Sequence, residues 1–221
     1  MIIHPRNRFG QVRSFFTVLF LLLTAFEAKA TVFTTVQFLE PGRSSLGFEP
    51  EFVLSSGAGF GGNLRYTTGL NDLSNLSFLI GTGSGPRQFR VGAVYTADFF
   101  PDTEEQPGIG IGLQGTWGRV TAQSVGGGVC TTGCSSATVS RLDIQLLPYL
   151  HNRFQNSGGD VEPFFSFPFG VSVRDGTVRA SSAVAVGAFF YTSPRFQYSM
   201  EVNVGVNNAE STLSGGIVYP F

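Results

Sequence analysis

The chain has 221 residues, with 14 Lys and Arg against 15 Asp and Glu, so its formal net charge is −1. A chain without a basic excess lacks the electrostatic footprint of a nucleic-acid binder, and no nucleic acid is expected among its partners. Only 13% of the residues are charged, whereas there are 29 Gly and 23 Phe. That composition is unusual for a soluble helical enzyme.

The first 30 residues have the three-part layout of a secretory signal peptide. A basic start with Arg6, Arg8 and Arg13 precedes the apolar run FFTVLFLLLTAF at 15–26, and a small-x-small site, Ala28-Lys29-Ala30, follows. The run is too short for the ~20 residues of a spanning helix, which disfavours a membrane anchor. We predict export through the Sec pathway and cleavage after residue 30. The remaining domain, 31–221, keeps 10 Arg and 14 acidic residues, a net charge of −4.

Ten segments of this domain alternate apolar and polar residues with a period of two, as strands with two unlike faces do. They are 48–54, 60–67, 76–80, 88–98, 109–117, 141–150, 162–173, 184–191, 196–205 and 212–221. Most are close to the ~9–11 residues of a tilted membrane-crossing strand. Turn-forming residues such as Asp175-Gly176 and Asn207-Asn208 lie between them.

No apolar run beyond residue 30 approaches helix-spanning length, and a membrane chain without such a run must close into a barrel. We therefore predict an all-β fold, an antiparallel up-and-down transmembrane β-barrel with ten strands. Eight or twelve strands remain open, because segment 76–80 is short and 31–40 is a further candidate strand.

A secreted β-sandwich is the alternative fold, since its strands also alternate. Three features favour the barrel, and the first is the terminal aromatic residue, Phe221. Aromatic residues lie near strand ends, as in the interfacial girdles of membrane barrels, and the polar face is rich in glycine where a soluble protein would carry Lys and Glu. The aromatic residues are Tyr66, Tyr95, Trp117, Tyr198 and Tyr219.

The polar face of the predicted barrel carries charged residues that would point into the lumen. They are Glu49, Glu51, Arg65, Arg90, Asp98, Arg141, Asp143, Glu162, Arg179 and Glu201. Enclosed charges must pair, because an isolated buried charge is costly. Since eight to ten strands leave an interior that side chains just fill, we expect a salt-bridged, plugged lumen, with a charge-selective constriction as the alternative.

Cys130 and Cys134, in the sequence CTTGC, are the only cysteines and lie in the longest predicted loop, about 119–139. In an exported chain, two close cysteines favour a disulfide; a metal site is the weaker interpretation, because no His lies nearby. Beyond the leader, His151 is the only histidine, and it falls in a predicted turn on the periplasmic side. We expect it to be solvated, and no G-x-S-x-G motif accompanies it, so neither a catalytic residue nor a cofactor is expected.

The last strand carries apolar residues at alternate positions, Leu213, Gly215, Ile217, Tyr219 and Phe221, and ends on an aromatic residue. This pattern resembles the C-terminal sorting strand of small bacterial outer-membrane β-barrel proteins, the porin and OmpA-like barrels. The resemblance covers the whole domain from residue 31, and Pro220 departs from it mildly. It implies outer-membrane lipid and the outer-membrane assembly machinery as partners.

The sequence thus predicts a bacterial outer-membrane protein with a structural or surface role and no catalysis. A small porin-like channel for ions or small solutes is the alternative. An outer-membrane enzyme that hydrolyses lipid or peptide ranks last, because a single histidine remains.

Overall fold

The computed structural model of the protein describes residues 39–55, 58–84, 88–103, 106–123, 136–193 and 195–221. The predicted leader and both cysteines, Cys130 and Cys134, lie outside these ranges. The strands within them are β1 (Ser44–Val53), β2 (Gly59–Asn71), β3 (Ser74–Gly83), β4 (Phe89–Phe100), β5 (Gly108–Gln123), β6 (Ser136–His151), β7 (Asp160–Ser166), β8 (Phe169–Arg174), β9 (Thr177–Tyr191), β10 (Gln197–Asn207) and β11 (Thr212–Pro220). In these ranges no helix is long and apolar enough to cross a bilayer.

The sheet closes on itself. Apart from β7 and β8, consecutive strands pair in antiparallel fashion, and the first strand also pairs with the last, with Phe48 opposite Ile217 and Phe52 opposite Leu213. Closure leaves no unpaired edge among the described strands, which is the requirement for a sheet in lipid. Pro220 is accommodated at the end of β11, opposite Ser45.

Strands β7 and β8 are two halves of one crossing. Both lie between β6 and β9, and they are separated only by Phe167 and Pro168. Backbone hydrogen bonds continue through the gap, from Phe167 N to Pro148 O at 3.0 Å and from Ala183 N to Pro168 O at 2.9 Å. The interruption follows from the two prolines, which have no N–H to donate. The described strands therefore form a closed barrel of ten crossings, and the predicted fold is confirmed.

The barrel is apolar outside and polar inside. In β1, Leu46, Phe48 and Phe52 are about half exposed, whereas Glu49 and Glu51 between them are 5% and 2% exposed. A sandwich would bury the apolar face and expose the polar one. The observed arrangement is that of an outer-membrane-type barrel.

The two ends of the barrel are distinct. Leu39 and Phe221 lie at one, the near end, where Ser44 and Phe221 exchange backbone hydrogen bonds of 3.0 and 2.7 Å. The far end carries the β8–β9 and β10–β11 turns. The predicted interfacial aromatics all belong to the outer face, where Tyr66, Tyr95, Trp117, Tyr198 and Tyr219 are 39–46% exposed.

Candidate functional site: charged side chains inside the barrel

The structure places nine of the ten predicted lumen charges in the interior, each no more than 9% exposed. They are Glu49, Glu51, Arg65, Arg90, Asp98, Arg141, Asp143, Glu162 and Glu201. Arg179 is the exception and corrects the prediction. It lies opposite the buried Ser172, so it has the inward parity, but it is exposed beside the β8–β9 turn. The alternation of a strand predicts which side of the sheet a side chain lies on. It does not predict burial at the end of the barrel, where an inward side chain can still be exposed.

Two arginines hold the interior of the β1–β4 wall together. Arg65 binds Glu49 through both prongs of its guanidinium, at 2.7 Å from Nε to Oε1 and 3.1 Å from Nη2 to Oε2. Arg90 donates to Glu51 and, from Nε, to Asn63 Oδ1 at 2.8 Å. The fork-shaped pairing of Arg65 suits the guanidinium, and direct partners of this kind explain how these buried charges are tolerated.

Inward glycines make room for the large polar side chains. Gly81 lies between Asn63 and Arg90 across neighbouring strands, and a Cβ on Gly81 would overlap the Asn63 amide. Gly110 stands in the same relation to Tyr149, whose ring occupies the space of the missing side chain. The glycine-rich polar face therefore does not line an open passage at these positions, because neighbouring side chains fill the space.

A third arginine lies near the far end, together with an acidic residue that the sequence did not single out. Arg141 Nε lies 2.9 Å from Asp143 Oδ2, and its Nη1 lies 3.3 Å from Glu210 Oε1. Glu210 belongs to the β10–β11 turn and is 4% exposed, beside Ala209, which is fully buried. The turn folds into the mouth, where Asn203 Nδ2 donates to Glu210 O at 3.3 Å.

Near the opposite end lies the His151 cluster, formed by Asp98, His151, Glu162 and Tyr191. His151 Nε2 is 3.0 Å from Asp98 Oδ2, and Nδ1 is 2.8 Å from Glu162 Oε1. The Tyr191 hydroxyl donates to Glu162. The prediction that His151 is a solvated turn residue is wrong: it is the last residue of β6 and is 6% exposed.

The geometry of the cluster suits a positively charged His151 with a structural role better than a His151 that acts as a catalytic base. Both imidazole nitrogens face carboxylate oxygens, so the ring fits this site as an imidazolium with two N–H groups. A base for a serine nucleophile needs one nitrogen directed at that hydroxyl, with a single acidic group behind the other. Among the described residues, no group of three or more His, Cys, Asp or Glu side chains is arranged to hold a metal ion.

Neutral side chains complete the packing between the charged clusters. Gln114, Asn203 and Phe189 have no accessible surface, and Gln145 and Leu147 are 1% exposed. A water-filled passage would expose the side chains along it. These described positions are therefore buried, and the charged side chains among them are joined in pairs and small clusters.

No protein-family model and no curated protein sequence matches this chain. Two solved structures are similar to it in architecture. One is the crystal structure of an outer membrane channel from Pseudomonas putida F1, at 12% identity and a TM-score of 0.44, covering 87% of this chain and 100% of that one. The other is the β-domain of the Bordetella autotransporter BrkA, at 10% identity and a TM-score of 0.45, covering 83% and 100%.

Proposed function

We propose that the protein is a bacterial outer-membrane barrel whose interior is a packed ionic core, and that its role is structural or at the cell surface. The observation that carries this proposal is the burial of nine lumen charges at 2–9% exposure, most of them in direct ion pairs. The burial of these side chains within the described part of the chain supports a lumen that is filled rather than open to ions or solutes. Outer-membrane lipid and the assembly machinery are its expected partners, and the loop that carries Cys130 and Cys134 is the candidate for a surface contact.

Conductance in a planar lipid bilayer tests this role. The full chain is expressed in a Gram-negative host and purified from the outer-membrane fraction, and its mass is measured; a start at Thr31 would support the predicted leader. A heat-shifted gel band reports the folded barrel. We expect folded protein to insert and remain electrically silent. Discrete, reproducible current steps would make it a channel and overturn the plugged interior.

Hydrolase activity is tested separately with lipid and peptide substrates. Both nitrogens of His151 are occupied by carboxylates, which supports the absence of catalysis by this residue. We expect no turnover by the folded protein above that of a His151→Gln variant. Turnover that disappears in His151→Gln, while the heat-shifted band is retained, would contradict the proposal.

A further inference from the structure

The outer face carries an apolar groove across strands β1 to β4. Its walls are large side chains, and its floor contains glycine; the principal lining residues are Phe48, Phe60, Gly62, Leu64, Ile80 and Phe89. Gly62 has outward parity between Phe60 and Leu64, and it lies opposite the short Thr82 on β3. The depression exists because two neighbouring outward positions carry little or no side chain. The Thr82 hydroxyl is satisfied by Gln88 O at 2.9 Å.

The rim of the groove lies close to an interfacial position at the far end. Phe89, on its rim, lies directly opposite Arg119 on β5. The ring of Trp117 is 6.3 Å from the ring of Phe89, two residues before Arg119. Tryptophan marks the level of the lipid headgroups in membrane barrels, so Arg119 reaches the headgroup layer.

Arg119 is exposed on the outer face. Among the described residues no carboxylate forms an ion pair with it. An arginine at this level binds phosphate oxygens with a bidentate geometry. The groove, whose rim residue Phe89 lies opposite Arg119, is lined almost wholly by apolar atoms. Chemistry of these two kinds, side by side on the outer face, matches a lipid with a phosphate and an acyl chain.

We propose that this groove is a binding site for a phosphate-bearing anionic lipid of the leaflet at the far end, with one acyl chain over Gly62 and the phosphate on Arg119. The inference rests on the membrane placement proposed above. A molecule in the surrounding bilayer is the natural occupant, because this face of the barrel is in contact with lipid.

Quenching by brominated lipids tests the site. The chain has a single Trp, whose fluorescence reports quenching. The variant Phe89→Trp/Trp117→Phe, called the parent, moves this fluorophore to the rim of the groove. The parent is reconstituted in phosphatidylcholine vesicles that contain phosphatidylglycerol or phosphatidylcholine with brominated acyl chains. We expect phosphatidylglycerol to bind about fivefold more tightly, the ratio that matches about 1 kcal/mol for one arginine near the headgroups.

Two variants of the parent separate the halves of the site. Arg119→Gln should bring the ratio to about 1, and Gly62→Leu, which fills the floor, should lower the quenching at the rim. Arg43→Gln at the near end and Gly215→Leu, an outward glycine of β11, are the matched controls and should leave both values unchanged. Each variant must show the heat-shifted band.

Three results would count against the site. Equal binding of the two lipids by the parent would contradict selective binding of an anionic lipid. A preference that is retained in Arg119→Gln would contradict the role of Arg119 in that binding. Quenching that rises when the protein is diluted in lipid would show that a second copy covers the groove. If no brominated lipid quenched the fluorescence, the membrane placement itself would be contradicted. Failure of the lipid site and failure of the membrane placement therefore give different results.

Discussion

At the scale of single residues, the pair between Arg65 and Glu49 shows how the interior tolerates charge. Both side chains are buried, and each is the other's bidentate partner. Arg65→Met removes the guanidinium and leaves a buried carboxylate. We expect the free energy of unfolding to fall by about 3–5 kcal/mol, the usual cost of breaking a buried pair. Urea titration in vesicles, followed by the heat-shifted gel band, measures this change.

A double variant separates the charge of the pair from the packing around it. Replacing both partners, as in Glu49→Gln/Arg65→Met, keeps the volume and removes both charges, so much of the lost stability should return. Arg179→Met is the matched control, because Arg179 is exposed, and its effect should stay within about 0.5 kcal/mol. A double variant as unstable as Arg65→Met would show that the loss does not come from an unpaired charge.

Two glycines of β5 differ in what surrounds them. A Cβ on Gly110 would overlap the Tyr149 ring and the backbone oxygen of Ala97, whereas a Cβ on Gly115 would meet nothing within 4 Å. Gly110→Ala should cost about 1–3 kcal/mol through overpacking. Gly115→Ala should instead stabilise the strand by about 0.5–1 kcal/mol, since Ala loses less conformational freedom than Gly. The same urea titration checks both, and equal effects would mean that the space beside Tyr149 is not filled.

At the scale of elements, the β8–β9 turn fixes the register of that crossing. Asp175 and Gly176 have φ values of 47° and 75°, and Arg174 pairs with Thr177, so the connection is a two-residue hairpin with both central residues left-handed. Gly176→Ala should cost about 1–2 kcal/mol, because a Cβ is strained there. Gly158→Ala, in an exposed near-end loop without positive φ, is the control and should be near neutral. Equal unfolding midpoints would show that the turn conformation does not limit stability.

Alternation in the sequence predicted the ten crossings and the two faces of each strand. The signal is strong because shifting a strand by one residue would place all of its side chains on the wrong face. It did not predict which charges pair, since the register of the sheet brings together Arg90 on β4 and Glu51 on β1, with two strands between them. Glu210 was missed because it lies in a turn, where no period exists. His151 was misjudged by one position: the strand extends to include it.

At the scale of the whole molecule, the interior carries more acid than base. Among the described residues, the buried acids are Glu49, Glu51, Asp98, Asp143, Glu162, Glu201 and Glu210, and the buried bases are Arg65, Arg90, Arg141 and His151. A packed core tolerates this imbalance through hydrogen bonds such as that from Tyr191 to Glu162. If water entered, the excess of carboxylates would attract cations.

The packed-core interpretation therefore predicts that the volume of the interior side chains, and not their charge, prevents ion conduction through the barrel. Replacing Glu49, Glu51, Arg65 and Arg90 with Ala removes two acids and two bases and empties part of the β1–β4 side. We expect this variant to conduct in planar bilayers with discrete steps, and the reversal potential in a salt gradient should show cation preference, because carboxylates then outnumber cationic groups. The matched control carries Gln and Met at the same positions, which removes the same charges but keeps the space filled. It should remain silent; conduction by this control would mean that ion pairing, and not packing, closes the lumen.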